Sequence, residues 1–473
     1  LYRAGAGNDT FNLLHVYGTP YQQGYNHGKI LKDEVTNLLW GVYHMIEKDL
    51  EHEACKIEPI DKACRLKPDF VEKVMEMGVN KALDWTYEQT EEWTYQSHID
   101  EMQGLADGAE VPLELVKRIH MLGELTKASC SLFGTWDEAL EDGHGLLQIR
   151  ALDWDTDEIF VNNPQVTVYH PTIVDEETGR FQNQYANIGF PGWIGLMTGM
   201  NDQKMGISEI GAGTASSDRG TSNSPEFPSE SRQGQTFTWT LKDIMLYDQT
   251  ADAGIQRLED IPRTCNLILG LGDGKPESQT MYGIASDAGK LTTFDDTNQQ
   301  PLVWDEYPNG DNVTSMDHER IPNVVYWGMD WYCPQFHKPL GDQLRANWGN
   351  INAEIAIRDI IAGTNTGDLH IGVYDYNRND MYVAFARQKK YNQNEQPVDA
   401  WRRSYTRFSM DMVFGELFSG CVCATGPAVP YEECPREYME LCAAVTDAPT
   451  DSSISASTNF LTITLFSIYK FVF

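Results

Sequence analysis

At Ser129-Cys130 the chain changes character. Before that point apolar residues recur at helical spacing almost throughout; after it they fall in short β-rich runs. The boundary reads Ser129-Cys130-Ser-Leu-Phe-Gly-Thr-Trp, and Leu146-Leu-Gln-Ile-Arg150-Ala-Leu-Asp153-Trp154-Asp155 follows it. A cysteine so placed suits a nucleophile that becomes a new chain N-terminus by self-cleavage. The α-amine freed in that way has a pKa of about 7.7–8 and can act as base for its own side chain. A thiol needs less help than a hydroxyl, being already partly thiolate near neutral pH. The plain alternative is a buried core cysteine, with Arg150 and Asp153 as a structural ion pair, since free cysteine is among the most buried residue types.

Helices are expected over Glu34–Glu51, Phe70–Trp93, Ser97–Asp107 and Pro112–Lys127, the last with Pro112 in its first turn. Strands are expected over Gly145–Leu152, Gln165–His170, Gln184–Ile188, Met205–Glu209, Gln279–Ala285, Lys290–Phe294, Asn323–Trp327, His370–Asp375 and Met381–Ala386. Helices interrupt them at about Thr236–Asp248, extending toward Leu258, and at Ala353–Ala362. The Ser-, Gly- and Pro-rich stretch Ser216–Gln235 reads as a long surface loop. Strand runs mixed with helices predict an α+β layered domain.

The 473 residues carry 36 basic and 70 acidic side chains, a formal charge of −34. That balance argues against nucleic acid or anionic membrane surfaces as partners, because both require basic patches. No window reaches the 18 or so apolar residues of a membrane span. Nine cysteines occur; setting Cys130 aside leaves eight, an even number compatible with disulfides. Asn8-Asp-Thr and Asn312-Val-Thr are glycosylation sequons. Together these predict a secreted or lysosomal protein. The chain opens at Leu1, so either a leader has been removed or the sequence is a fragment.

The boundary region resembles the cysteine-type N-terminal-nucleophile hydrolases, chiefly the isopenicillin-N acyltransferase-like branch, with acid ceramidase-like proteins more distant. Those proteins follow the nucleophile with an Arg-Asn-Leu-Asp-Trp-like motif, written here Arg150-Ala-Leu-Asp153-Trp154, with Ala151 in place of Asn. Four further stretches are similar, in the same order. They are Gly18-Thr-Pro-Tyr-Gln-Gln-Gly24-Tyr-Asn-His-Gly28, Glu101-Met-Gln-Gly-Leu-Ala-Asp-Gly-Ala, Gly189-Phe-Pro-Gly-Trp-Ile-Gly-Leu-Met-Thr-Gly-Met-Asn-Asp and Leu369-His-Ile-Gly-Val-Tyr-Asp. The resemblance implies a four-layer αββα sandwich and cleavage between Ser129 and Cys130. It divides the chain into a mainly helical region (1–129), an αββα catalytic domain (130–445) and a polar linker with an apolar tail (446–473).

The activity so implied is an amidohydrolase or acyltransferase acting on an N-acylated small molecule or lipid amide. Cys130 would be the nucleophile, Asp153 would orient the α-amine, and Arg150 would stabilise charge beside the sulfur. Positions three apart on a regular strand face opposite sides, so a bulge or turn after Arg150 is expected if both are to approach Cys130. The sulfur should then sit at the mouth of an apolar pocket, with part of Gly189–Gly199 as a wall. Relatives often place an oxyanion-binding Asn late in the chain. The counterparts here are Asp317-His318 and the nearby Asn312; an ionised Asp cannot donate, and Asn312 lies in a sequon. Two other readings keep the fold: a secreted binding glycoprotein without turnover, and a phospholipase-B-like ester hydrolase.

No cofactor or metal is expected. Asp153-Trp-Asp155-Thr-Asp157-Glu158 lacks the Gly and Glu of a calcium loop, and Gly270-Leu-Gly-Asp-Gly274-Lys275 lacks phosphate-loop spacing and reads as a turn. Trp327, Trp331 and Trp348 suit either the core or an acyl pocket. The polar stretch 446–459 followed by apolar Phe460–Phe473 resembles a glycolipid-anchor signal; a strand or loosely held tail is the alternative.

Overall fold

The computed structural model describes residues 1–52, 66, 68–126, 129–154, 156–173, 182–212, 233–298, 319–328, 337–387 and 397–415. The strands are β1 (Tyr2–Ala4), β2 (Phe11–Gly18), β3 (Ser129–Trp136), β4 (Leu146–Asp153), β5 (Gln165–Pro171), β6 (Tyr185–Gly189), β7 (Thr198–Asn201), β8 (Met205–Ala212), β9 (Asn266–Asp273), β10 (Thr280–Ser286), β11 (Leu291–Phe294), β12 (Val324–Trp327), β13 (His370–Asp375), β14 (Asp380–Phe385) and β15 (Thr406–Ser409). They form two sheets, ordered β1-β2-β5-β6-β7-β8-β9-β10-β11 and β12-β3-β4-β13-β14-β15. Neighbours are antiparallel except for β2 and β5, which run parallel.

Alternation along β4 shows how the layers stack. Leu146 and Leu152 join the core shared with the nine-stranded sheet, whereas Leu147, Ile149 and Ala151 join a second core on the opposite face. Both faces being covered, the strand reads as a nearly continuous apolar run. The second core is closed by helices that include His337–Asn347 and Ala353–Ile355. On the far side, helices Phe237–Tyr247 and Ala251–Asp260 lie on β7, β8 and β9. The result is an α+β four-layer αββα sandwich, as the resemblance implies.

The helix expected over Phe70–Trp93 is divided at Gly78, whose φ of +85° no helix accommodates, into Pro68–Met77 and Val79–Glu88. Pro112 caps Leu113–His120 from outside the helix. Of the turn expected over Gly270–Lys275, only Gly274 and Lys275 lead into a turn, and residues 270–273 are instead part of the interior strand β9. Its glycines serve close sheet approach: a Cβ on Gly272 would stand 2.0 Å from Oε1 of Gln148, which reaches across from β4. The stretch Ser216–Gln235 falls largely outside the described residues, as do Trp331 and everything beyond 415, the apolar tail included.

Two of the glycine-bearing motifs before Cys130 meet each other. Helices Pro20–Ile30 and Gln96–Ala109 cross at backbone contact, with Gly24 and Gly28 on one facing Gly104 and Gly108 on the other. A Cβ on Gly104 would lie 2.1 Å from the carbonyl oxygen of Tyr21, an atom that cannot swing aside. Gly104→Ala is therefore expected to destabilise the fold by about 1–3 kcal/mol, the usual range for overpacking. A chemical-unfolding midpoint equal to that of the parent would show that the helices can part without loss.

Candidate active site

Cys130 is the second residue of β3, paired with Leu152 of β4, and the first, Ser129, is paired with Asp153. Cross-strand partners share a face, so the thiol lies on the side of Leu152 and Arg150, between the two sheets. It is fully buried, as is the guanidinium of Arg150. Arg150 donates from Nη2 to Cys130 Sγ at 3.4 Å and to Glu209 Oε2 at 3.1 Å. Its Nε donates to the Glu209 carbonyl at 3.1 Å, and its Nη1 lies 3.2 Å from His370 Nε2. Burial pushes the thiol up to about 12; Arg150 pulls it down, but the negative charges of Glu209 and Asp153 oppose that pull. The intact chain thus holds a protonated, covered sulfur, and the expected open pocket mouth is absent among the described residues.

Asp153 points to the opposite face. It accepts from Thr366 Oγ1 at 2.8 Å and from the backbone N–H groups of Gly367 at 2.8 Å and Asp368 at 2.9 Å. Ser131 and Thr366 hydroxyls are 2.7 Å apart, so Ser131 can donate to Thr366, which donates onward to Asp153. Trp154 N returns a bond to Asp368 Oδ1 at 3.0 Å. Gly367 has φ +91°, and a Cβ there would strike Ile371, so this turn requires glycine. Burial, then the nearby Asp368 charge, raises the Asp153 carboxyl above the usual carboxylate range, against these stabilising bonds.

The expected bulge after Arg150 does not occur, because β4 stays in register with β3 from Leu146 to Asp153. Regular alternation is kept, so Arg150 and Asp153 stand on opposite faces of β4, and of the two side chains only Arg150 meets the sulfur. The sulfur is a side-chain atom and is met on one face by Arg150. The nitrogen of Cys130 is a backbone atom between the strands, at the rung that Asp153 flanks.

The Gly189–Gly199 segment is buried and reaches the thiol through intermediates. Thr198 Oγ1 is 3.0 Å from His370 Nε2, which borders Arg150. Two histidines from the helical region hold the loop by its backbone. Gly192 N donates to His27 Nε2 at 2.9 Å, and Ile194 N donates to His120 Nε2 at 3.0 Å. Lys242 Nζ donates to the Ile194 carbonyl at 3.0 Å and pairs with Glu101. Burial lowers His27 to about 3 and His120 to about 4, keeping both rings neutral acceptors.

A depressed histidine pKa destabilises on the acid side. Below about 6.5 the unfolded chain takes up protons that the folded chain refuses until it nears these lowered values. The slope approaches about 1.4 kcal/mol per pH unit for each histidine only well below 6.5, so between pH of about 6.5 and 5.5 the pair together removes about 2 kcal/mol. Thermal midpoints should fall over that window, and a His27→Gln/His120→Gln chain should show a shallower acid limb. Equal slopes in both chains would assign the limb to other groups.

Of the remaining candidates, Asn312, Asp317 and His318 lie outside the described residues, as do Cys55, Cys64, Cys333, Cys421, Cys423, Cys434 and Cys442; Cys265 is buried. Asn8 is exposed within a short 3-10 turn. Trp327 is core and Trp348 is 39% exposed. No group of three or more His, Cys, Asp or Glu side chains able to hold a metal occurs among the described residues. None of the described helices is long and apolar enough to cross a membrane. A small pocket lined in part by Phe237, Leu258, Cys265 and Leu267 lies apart from Cys130. The residues that sequence reading left without a role at Cys130 are Glu209, Thr366, Gly367, Thr198 and His370. Only His370 and Thr198 carried a signal, each lying within a motif of the resemblance.

No family model matches the chain. Solved structures similar to it include a Caenorhabditis elegans N-acylethanolamine-hydrolyzing acid amidase ortholog, at 12% identity and TM-score 0.34 over 52% of this chain and 93% of that one. Penicillin V acylase from Agrobacterium tumefaciens gives 11%, 0.33, 54% and 83%. A single-residue variant of conjugated bile acid hydrolase from Clostridium perfringens gives 13%, 0.32, 58% and 96%. At such TM-scores the fold class stands on this chain's own sheets and helices. Two Dictyostelium discoideum proteins are far nearer in sequence. Protein dcd1B is 31% identical over 425 residues, covering 88% of this chain and 77% of dcd1B, and Protein dcd1A is 31% identical over 426 residues, covering 88% of each. With that identity sustained along nearly its whole length, the chain belongs to the family of the Dictyostelium proteins dcd1A and dcd1B.

Proposed function

We propose that this protein is a self-processing cysteine amidohydrolase or acyltransferase of the N-terminal-nucleophile type, acting on an N-acylated small molecule or lipid amide. The observation that carries the reading is the contact of Arg150 with Cys130 Sγ in the second residue of β3, whose first residue, Ser129, is paired with Asp153. In the first step the thiol adds to the Ser129 carbonyl carbon. The carbon–nitrogen bond breaks, the thiol proton passes to the nitrogen of Cys130, and Ser129 becomes a thioester. Water hydrolyses that thioester, leaving 129- and 344-residue chains. The new α-amine then takes the thiol proton, and the thiolate attacks the substrate amide. The ammonium returns the proton to the departing amine. Water or an acceptor amine finally releases the acyl group from sulfur. Asp153 would hold the α-amine and Arg150 the sulfur's charge, one from each face of the rung.

On this reading residues 1–129 form the smaller chain and 130–445 the catalytic domain, with 446–473 as linker and tail. A secretory route, to the exterior or a lysosome, is part of the proposal, and the exposure of Asn8 supports its sequon being usable. A glycolipid anchor at the tail is an extension of the same route.

Purified protein followed on a denaturing gel tests the reading. The full chain should convert into the two fragments, and Cys130→Ala should remain whole. A wild-type chain that stays intact and never cleaves an N-acyl amide would favour the binding-glycoprotein reading. Arg150→Ala and Asp153→Asn, assayed as chains that still fold, should each lose at least about tenfold in amide cleavage, roughly 1.4 kcal/mol of barrier. Wild-type turnover in either would assign its role elsewhere. Faster cleavage of lipid esters than of matched amides would point to the phospholipase-B-like alternative.

A further inference from the structure

His370 opens β13 opposite Leu152, on the same face as Arg150 and Cys130. It is fully buried, and its ring borders Phe190 and Phe385, with centroids 6.1 and 5.8 Å away. The guanidinium fixes its protonation. Arg150 Nη1 stands 3.2 Å from His370 Nε2, and a guanidinium can only donate. Nε2 must therefore be the accepting nitrogen, and the Thr198 hydroxyl, 3.0 Å from the same atom, becomes a second donor to it. The ring proton then resides on Nδ1, which is buried with no hydrogen-bond partner. Burial and the Arg150 charge both act against a second proton.

A buried donor without an acceptor is destabilising, so its presence beside the candidate nucleophile asks for a reason. Arg150 offers one. Its Nε and Nη2 are tied to Glu209 on one side, and Nη2 also meets the sulfur. Without a partner at Nη1 the guanidinium plane could pivot about Glu209 and leave Cys130. A carboxylate at position 370 would hold Nη1 too, but would cancel the positive charge that the sulfur faces. A neutral imidazole holds the plane and leaves the charge.

We propose that His370 is a positioning residue, a permanently neutral acceptor that pins Arg150 against the sulfur of Cys130 with the help of Thr198. The inference rests on the amidohydrolase reading for its catalytic consequence, though not for the pairing itself. Nitrogen NMR of histidine-labelled full-length protein, with the His370→Gln chain as the difference control, reads the pairing. The expected ring is bare at Nε2, protonated at Nδ1, and unchanged from pH of about 7 down to about 5, across the ordinary histidine midpoint. A proton on Nε2, or a ring that titrates in this window, overturns the proposal whether or not the protein cleaves amides. Activity reads the consequence. His370→Ala should lower kcat at least about tenfold with KM within about twofold, while His370→Gln, which offers an oxygen acceptor near the place of Nε2, recovers most of the loss. Equal losses in the two variants, or losses that follow their thermal midpoints, would make the residue a packing element and sink the idea. Loss of turnover in the wild type itself would count against the amidohydrolase reading and leave the NMR result to decide the pairing.

Discussion

A guanidinium sealed between two β-sheets is the constraint around which this molecule is arranged. Moving an isolated charge of that size out of water is prohibitive, and even after relaxation several kcal/mol per ion remain. Arg150 is tolerated because Glu209 on the facing sheet supplies an opposite charge and a carbonyl, and because neutral acceptors take up further N–H groups. Removing one member of such a pair typically destabilises by about 3–5 kcal/mol, since the other charge is left uncompensated. The pair therefore fixes the register of the nine-stranded sheet against the six-stranded one at the rung where Cys130 lies. Gln148, two residues earlier, bonds the Gly206 and Gly270 carbonyls and Ser208 across the same gap. Such polar bridges demand close approach, which is why Gly206 and Gly272 face them.

This arrangement explains what could be read from the residues and what could not. The Arg-x-x-Asp spacing after a cysteine is local, so the nearness of Cys130 and Arg150 on paired strands was legible in the sequence, while their roles rest on the resemblance. Glu209 was not legible. In Met205–Ala212 it stands among apolar residues like the outward acid of a half-exposed strand, and nothing nearby records that it answers an arginine 59 positions earlier. Thr366 and Gly367 are equally remote from Asp153. Strand β9 was missed for a related reason. Its glycines look like turn residues in sequence, yet Gly272 is small because Gln148 of the other sheet presses on it, and Gly270 because Met281 does. Local propensity favoured a turn, and sheet-to-sheet packing overrode it.

The two faces of β4 divide the chemistry in a way that spacing alone had made awkward. On the inner face, Arg150 and its partners address the sulfur. On the outer face, Thr366 and the Gly367–Asp368 backbone hold Asp153 beside the rung that contains the Ser129–Cys130 peptide. A strand is thin enough that its backbone nitrogen is accessible from the second face while its side chain is served from the first. On the proposed chemistry, two residues of opposite orientation would serve one residue without any distortion of the strand. The arrangement also limits crowding, because the raised Asp153 carboxyl and the Glu209 charge stay on separate sides of the sheet.

Burial of the thiol in the intact chain follows from the same geometry. While residue 129 remains joined to Cys130, the thiol is shut between the sheets, where desolvation keeps it protonated despite Arg150. On the proposed chemistry that is the appropriate resting state, since a free thiolate would be a reactive liability before processing. Cutting the chain there changes two things at once. It creates an amine where an amide nitrogen had no basicity, and it frees the end of residue 129 to withdraw from the rung. The helical region need not leave. Its β1 and β2 belong to the nine-stranded sheet, and His27 and His120 hold the loop that leads to Thr198. The helical region is thus bound into the layers by buried hydrogen bonds that a single peptide cleavage does not touch, so processing can alter the surroundings of the thiol without dismantling the fold that holds Arg150 against it.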